Sequence, residues 1–116
     1  MIEAAPPFFD LAPEEVAKLL ARGAVDLIDV REPYERAAGY IPSSRHIELA
    51  GLAVAARSFD QARPLVLQCR VGGRSAMATQ ALRRAGYEAY NLGGGILGWA
   101  EAGLPLEPED AYVANH

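Results

Sequence analysis

The segment LVLQCRVGGRSAMA, residues 65–78, holds the only cysteine of the chain. Cys69 leaves an apolar run suited to a buried strand, and Arg70, Gly72, Gly73 and Arg74 follow within five residues. Glycines at 72 and 73 can take positive φ and curl the backbone so that successive N–H groups point inward, an anion nest. A helix that begins near Ser75 turns its positive end toward the same place. With Arg70 and Arg74, these features favour negative charge on sulfur, which is what a nucleophilic cysteine requires. A free cysteine is often no more than a small buried apolar residue. Here the strand-end position, the two glycines and the two flanking arginines point to chemistry instead.

Other cysteine chemistries find less support. One cysteine and two distant histidines, His46 and His116, fall short of a metal ligand set, so neither a metal nor a cofactor is expected. A Cys69–His46 pair stays open, since nothing in the sequence places the two together. An internal disulfide needs a second cysteine, so no oxidising compartment is implied.

The whole-chain properties agree with a small soluble domain. A chain of 116 residues, 51% hydrophobic and 22% charged, has the size of one domain and is ordinary in composition. The first residues, MIEAAPPFFD, lack the basic and long apolar regions of a secretion signal. No stretch approaches the roughly 18 apolar residues of a membrane span. The expectation is a cytoplasmic protein with no membrane partner. A net charge of -4 argues against a general nucleic-acid binder. Between Arg57 and Arg84, however, six arginines face a single acid, Asp60, a section suited to a small anion.

Apolar periodicity switches repeatedly between strand and helix styles, the pattern of an α/β fold with a small, mostly parallel sheet. PEEVAKLLARG opens on Pro13 and two acids and stops at Gly23, which predicts a helix. VDLIDV (25–30) reads as a strand, EPYERAAGYIP as a short helix or turn, and RHIEL (45–49) as a brief strand. Leu49, Leu52, Ala53 and Ala56 fall at helical spacing. LVLQ (65–68) is a buried central strand, and Ala78, Ala81, Leu82 and Ala85 mark a helix from near Ser75 to Gly86. YEAYNL is a strand, GGG a turn and ILGWAEAG a last helix, while residues 106–116 show no pattern and read as a loose tail beyond a core at about 10–105. Parallel sheets bind ligands beyond the carboxyl ends of their strands, which is where Cys69 falls.

Three segments in this order and spacing, LIDVREPYERAAGYIP, CRVGGRSAMATQAL and GYEAYNLGGGILGWAEAGLP, resemble a single-domain rhodanese, a sulfurtransferase, from about Asp10 to Pro105. The resemblance implies a small parallel sheet with helices on both faces, in agreement with the reading above. It implies that Cys69 accepts a sulfane sulfur and becomes a persulfide. The loop Cys69, Arg70, Val71, Gly72, Gly73 and Arg74 would cradle the outer sulfur with its amides, and Arg70 and Arg74 would hold an anionic donor such as thiosulfate. A thiol or cyanide, or a sulfur-relay protein, would then take the sulfur in a two-step transfer. Asp29 and Arg31 would pair their charges at a strand end as supports, Glu35 would anchor the surface or a loop, and Trp99 would fill the core. Gly93, Gly94 and Gly95 read as a tight turn near the site.

Two alternatives stand beside turnover of a small donor. One is a carrier that holds a persulfide for a partner protein. The other is a thiol-dependent phosphatase or arsenate reductase, whose loops have one residue more between cysteine and arginine and so a wider cradle. The chain departs from the family's usual G-H-I-P-G-A with G-Y-I-P-S-S, and Tyr40, Ser43 and Ser44 leave the pocket rim and substrate preference open.

Overall fold

The structure is a computed structural model and describes residues 2–116. Its elements run β1 (Asp10–Leu11), α1 (Pro13–Ala21), β2 (Asp26–Asp29), α2 (Pro33–Ala38), β3 (Arg45–His46), a 3₁₀ turn (Leu49–Gly51), α3 (Leu52–Ala56), β4 (Leu65–Gln68), α4 (Gly73–Arg84), β5 (Ala89–Leu92) and α5 (Gly95–Glu101). The five strands form one parallel sheet in the order β1-β5-β4-β2-β3. The expected α/β architecture is present, with one edge strand, β1, that two residues of sequence are too short to announce.

Strand alternation decides which helix covers which face. Leu27, Val66, Tyr90 and Leu92 pack with Val16, Leu19, Ile96 and Trp99, so α1 and α5 cover one side. Ile28, Leu65, Leu67, Cys69 and Ala89 pack with Leu52, Ala56, Ala78 and Leu82, so α3 and α4 cover the other. Every residue of β4 and β5 is buried, as a doubly covered parallel sheet demands. Trp99 is 2% exposed, and its Nε1 donates to the Pro105 carbonyl at 2.8 Å.

Between β2 and β4 the strand order reverses: the chain leaves β2 outward to β3 and leaves β4 in the opposite direction to β5. Such a switch point leaves a crevice at the strand carboxyl ends. Asp29 ends β2 beside Gln68, its register partner at the end of β4. Arg31, two residues past Asp29, is fully buried. Its Nε and Nη2 donate to the two Asp29 oxygens at 2.9 and 2.8 Å, and Nη2 also donates to the Gly39 carbonyl at 2.8 Å.

Several expected boundaries shift. The predicted helix over 49–56 is a 3₁₀ turn followed by α3, divided at Gly51, a residue of low helix propensity. The predicted tail is docked, not loose. Tyr40 and Glu107 exchange backbone hydrogen bonds of 2.8 Å, the Tyr112 amide donates to the Ala38 carbonyl at 3.1 Å, and Ala114 is buried. An extended segment following an irregular surface has no period of its own, so its sequence carries no periodic signal.

The Asp29–Arg31 pair is fully buried, and removal of one partner leaves an uncompensated charge. Asp29→Ala is expected to cost about 3–5 kcal/mol of unfolding free energy, read as a fall in the urea midpoint. A midpoint within error of wild type would show that Arg31 finds another partner.

Candidate active site

Cys69 lies one residue past β4 and is 1% exposed. The backbone then turns at Gly72, whose φ of +106° is open to glycine and strained for other residues. Gly72 caps α4, which begins at Gly73, two residues before the expected start near Ser75. Gly73 therefore does not share the positive φ expected of it; it is the first helical residue. The result is a tight loop in which the Gly72 N–H donates to Cys69 Sγ at 3.1 Å. The sulfur thus sits at the N-terminus of a twelve-residue helix, against a fixed donor.

The loop rests on the start of α5. The amides of Ile96 and Leu97 donate to the carbonyls of Cys69 and Arg70 at 2.9 and 3.0 Å. A Cβ on Gly95 would overlap the Arg70 carbonyl oxygen and come within 2.6 Å of that of Cys69. The Gly93–Gly95 turn is thus near the site, as expected, and its third glycine makes room for the loop.

The arginines have other partners than a free anion. Arg74 donates from Nη1 and Nη2 to the two Glu35 oxygens at 2.8 and 2.9 Å. The Glu35 hydrogen bond raises Arg74 above its ordinary value, against the opposing effect of burial. Burial pushes the Glu35 carboxyl up, but hydrogen bonds from Arg74 and from the Glu32 amide outweigh it and hold the group below its ordinary value of 4.5. Glu35 is fully buried, not at the surface, and its carboxylate also closes a capping box at the start of α2. It anchors α4 to α2. Arg70 is held by the docked C-terminal segment: Nε donates to the Ala114 carbonyl at 3.2 Å and Nη2 to Asn115 Oδ1 at 3.3 Å. Val71 is 56% exposed.

The remaining expected residues fall into a second network. His46 Nε2 lies 2.7 Å from the Arg31 carbonyl oxygen and makes no hydrogen bond to Cys69, so the Cys–His pair left open by the sequence does not form. Arg36 stacks on the Tyr40 ring at 4.2 Å and donates to Ser44 Oγ and to its carbonyl at 2.8 and 2.9 Å. Tyr40 and Ser44, two of the departures from the family pattern, therefore fix the α2–β3 connection. Neither is hydrogen-bonded to the cysteine loop.

A cavity of about 350 Å³ opens beside Arg74, lined also by Val30, Glu32, Glu48, Leu49, Ala50 and His116. Ligand atoms of Glu32, Glu35 and His116 lie within 4.8 Å of one another. Arg74 engages both Glu35 oxygens, which leaves two ligands and no metal set.

Two residues at the sulfur were missed. Ser75 Oγ is 3.4 Å from Cys69 Sγ and 2.6 Å from Asn91 Oδ1, and both residues are buried. A signal existed for Asn91: it is an amide in the middle of an otherwise apolar strand, and buried amides are held by partners. Ser75 gave none beyond its place at a helix start. No described helix is long and apolar enough to cross a membrane.

The profile of the rhodanese-like domain family matches residues 12–102. The chain is 36% identical over 93 residues to the thiosulfate sulfurtransferase GlpE of Pseudomonas aeruginosa, a match covering 79% of this chain and 84% of that protein. It is 38% identical over 96 residues to an uncharacterized protein of Synechocystis, covering 82% of this chain but only 54% of that longer protein. Its fold superposes on a rhodanese-related protein of Thermoplasma volcanium with a TM-score of 0.79 at 28% identity, over 84% of this chain and 96% of the other.

The Glu35 carboxylate has a pH signature. Its folded value is depressed, so its contribution is complete above 4.5 and is lost as pH falls through the lower folded value. Glu35→Gln is expected to cost about 2 kcal/mol near neutrality. Urea unfolding across a pH series should show the difference from wild type shrink as pH drops below 4.5. A difference independent of pH would mean that the carboxylate charge does not hold Arg74.

Proposed function

The chain belongs to the rhodanese-like domain family, and on that premise we propose that it is a sulfurtransferase that works through a persulfide on Cys69. The observation that carries the reading is the Gly72 N–H at 3.1 Å from Cys69 Sγ, at the positive end of α4. A fixed backbone donor aimed at Sγ stabilises charge that develops there without any rearrangement at the moment of reaction. The thiolate attacks the outer sulfur of thiosulfate or a similar donor; the donor's S–S bond breaks, sulfite leaves with the electron pair, and Cys69 carries the transferred sulfur. A thiol or cyanide then bonds to that outer sulfur, and the Sγ–S pair returns to Cys69. The chain has four residues between Cys69 and Arg74, the shorter loop, which suits sulfur better than a tetrahedral phosphate or arsenate.

One observation favours a second reading. Arg74 is bound to Glu35, Arg70 to the C-terminal segment, and the cavity beside Arg74 carries Glu32 and Glu48. A site whose arginines are engaged is better matched to sulfur delivered as a protein or thiol persulfide than to free dianionic thiosulfate. On this reading the protein is a carrier between a donor protein and an acceptor.

Intact mass separates the two. Reduced wild type and Cys69→Ser are incubated with thiosulfate, and in parallel with a persulfide-bearing cysteine desulfurase. A gain of one sulfur atom with thiosulfate, absent in Cys69→Ser and lost on addition of cyanide, is the expected result. Gain from the desulfurase alone supports the carrier. No gain from either donor overturns both.

A further inference from the structure

Ser75 has one proton and three acceptors within reach: Asn91 Oδ1 at 2.6 Å, Gly72 O at 3.4 Å and Cys69 Sγ at 3.4 Å. Which of them receives it is decided from the far side of Asn91. The Asn91 Nδ2 group donates to Asp10 Oδ1 at 2.8 Å and to the Gly72 carbonyl at 3.3 Å. A carboxylate and a carbonyl only accept, so the amide nitrogen must face them and Oδ1 must face Ser75. Oδ1 cannot donate, and the short 2.6 Å contact therefore takes the serine proton. While sulfur is neutral it is a weak acceptor and does not compete. Once it carries charge, the balance changes, because a hydrogen bond to an ion is roughly twice as strong as one between neutral groups.

We propose that Ser75 is a catalytic residue whose hydroxyl proton rests on Asn91 while Cys69 sulfur is neutral and turns to Sγ when that atom leaves as a thiolate, with Asn91 and Asp10 as positioning residues. The inference rests on the persulfide reading above. In the second half-reaction the acceptor's lone pair bonds to the outer sulfur. The Sγ–S bond breaks, and its electrons stay on Sγ. No proton is transferred; the Ser75 O–H keeps its proton and reorients it. The Gly72 N–H supplies the constant donor and Ser75 the one that arrives with the charge. The first half-reaction runs the other way, since the attacking thiolate loses charge and gains nothing from a hydroxyl bound to it. Ser75 therefore assists discharge of the persulfide and not its loading.

The test is the ratio of discharge to loading, with both rate constants read on the same sample by mass so that a partly folded fraction changes amplitudes and not the ratio. Wild type, Ser75→Ala and Asn91→Ala are loaded from whichever of thiosulfate and inorganic polysulfide acts faster on wild type. Loading is run at a pH where alkylation of Cys69 has reached its plateau rate, and discharge is to cyanide. Ser75→Ala is expected to load as fast as wild type or faster and to discharge about tenfold more slowly, the loss of one hydrogen bond to a charged atom. Asn91→Ala removes the competing acceptor and is expected to move the ratio the opposite way. An unchanged ratio in Ser75→Ala overturns the proposal. So does a lowered ratio in Asn91→Ala, which also decides the matter if Ser75→Ala does not fold. A wild type that takes up no sulfur from either donor overturns the persulfide reading itself, whereas normal loading with an unmoved ratio overturns only the role of Ser75.

Discussion

On the proposed persulfide reading, a sulfur atom that carries negative charge while 1% exposed needs a donor that cannot drift away, and the Gly72 N–H at 3.1 Å is placed to supply it. Most of the local architecture follows from holding that one N–H in place. Gly72 must be left-handed so that the chain turns over the sulfur, and α4 must begin at the next residue so that its own amides point the same way. The loop's outer carbonyls must be tied down, which the Ile96 and Leu97 amides do. Gly95 must lack a side chain for that contact to be reached. The central strand β4 delivers Cys69 to this point because both faces of the sheet are covered and the strand has no freedom to slide.

Charge in the site is organised in pairs. Asp29 holds Arg31, Glu35 holds Arg74, and the C-terminal segment holds Arg70. Each of these arginines acts first as a strut, and of the fully buried Arg31 guanidinium Nε and Nη2 are bonded while Nη1 has no hydrogen-bond partner among the described residues. Arg31 joins the end of β2 to the carbonyl of Gly39 after α2. Arg74 joins α4 to α2. On the proposed persulfide reading, stabilisation of charge on sulfur is left to backbone and hydroxyl dipoles, which need no counter-ion. The docked segment after Pro105 belongs to the same scheme. It pairs with Tyr40, crosses Ala38 and ends beside Arg70, so one side of the site's rim comes from residues far from Cys69 in sequence.

How much of this was legible depended on distance along the chain. The α1 helix declares itself through Pro13, two acids in its first turn and apolar residues at 16 and 19, all local signals. LVLQ reads as a central strand because four consecutive apolar or neutral residues can be buried on both faces. Cys69 was identifiable because its neighbours at 70, 72 and 74 are the wrong residues for a plain core position. The start of α4 was misplaced because Gly73 and Arg74 carry no apolar period; a left-handed Gly72 lets the helix begin at once, and nothing in a residue count shows that conformation. β1 was missed since two residues have no period.

The sequence by itself determined the alternation of strands and helices, the two-faced core, the cysteine at the strand end and the glycine that turns over it, because each of these rests on side-chain type within a few neighbouring positions. Tertiary structure alone decided what the polar groups do. The partners of Arg74, Arg70 and Ser75 are Glu35, Asn115 and Asn91, residues 39, 45 and 16 positions away. Hydrogen bonds are directional and each donor can be used only once. Their assignment depends on which groups the finished sheet brings together, and a local pattern cannot supply it.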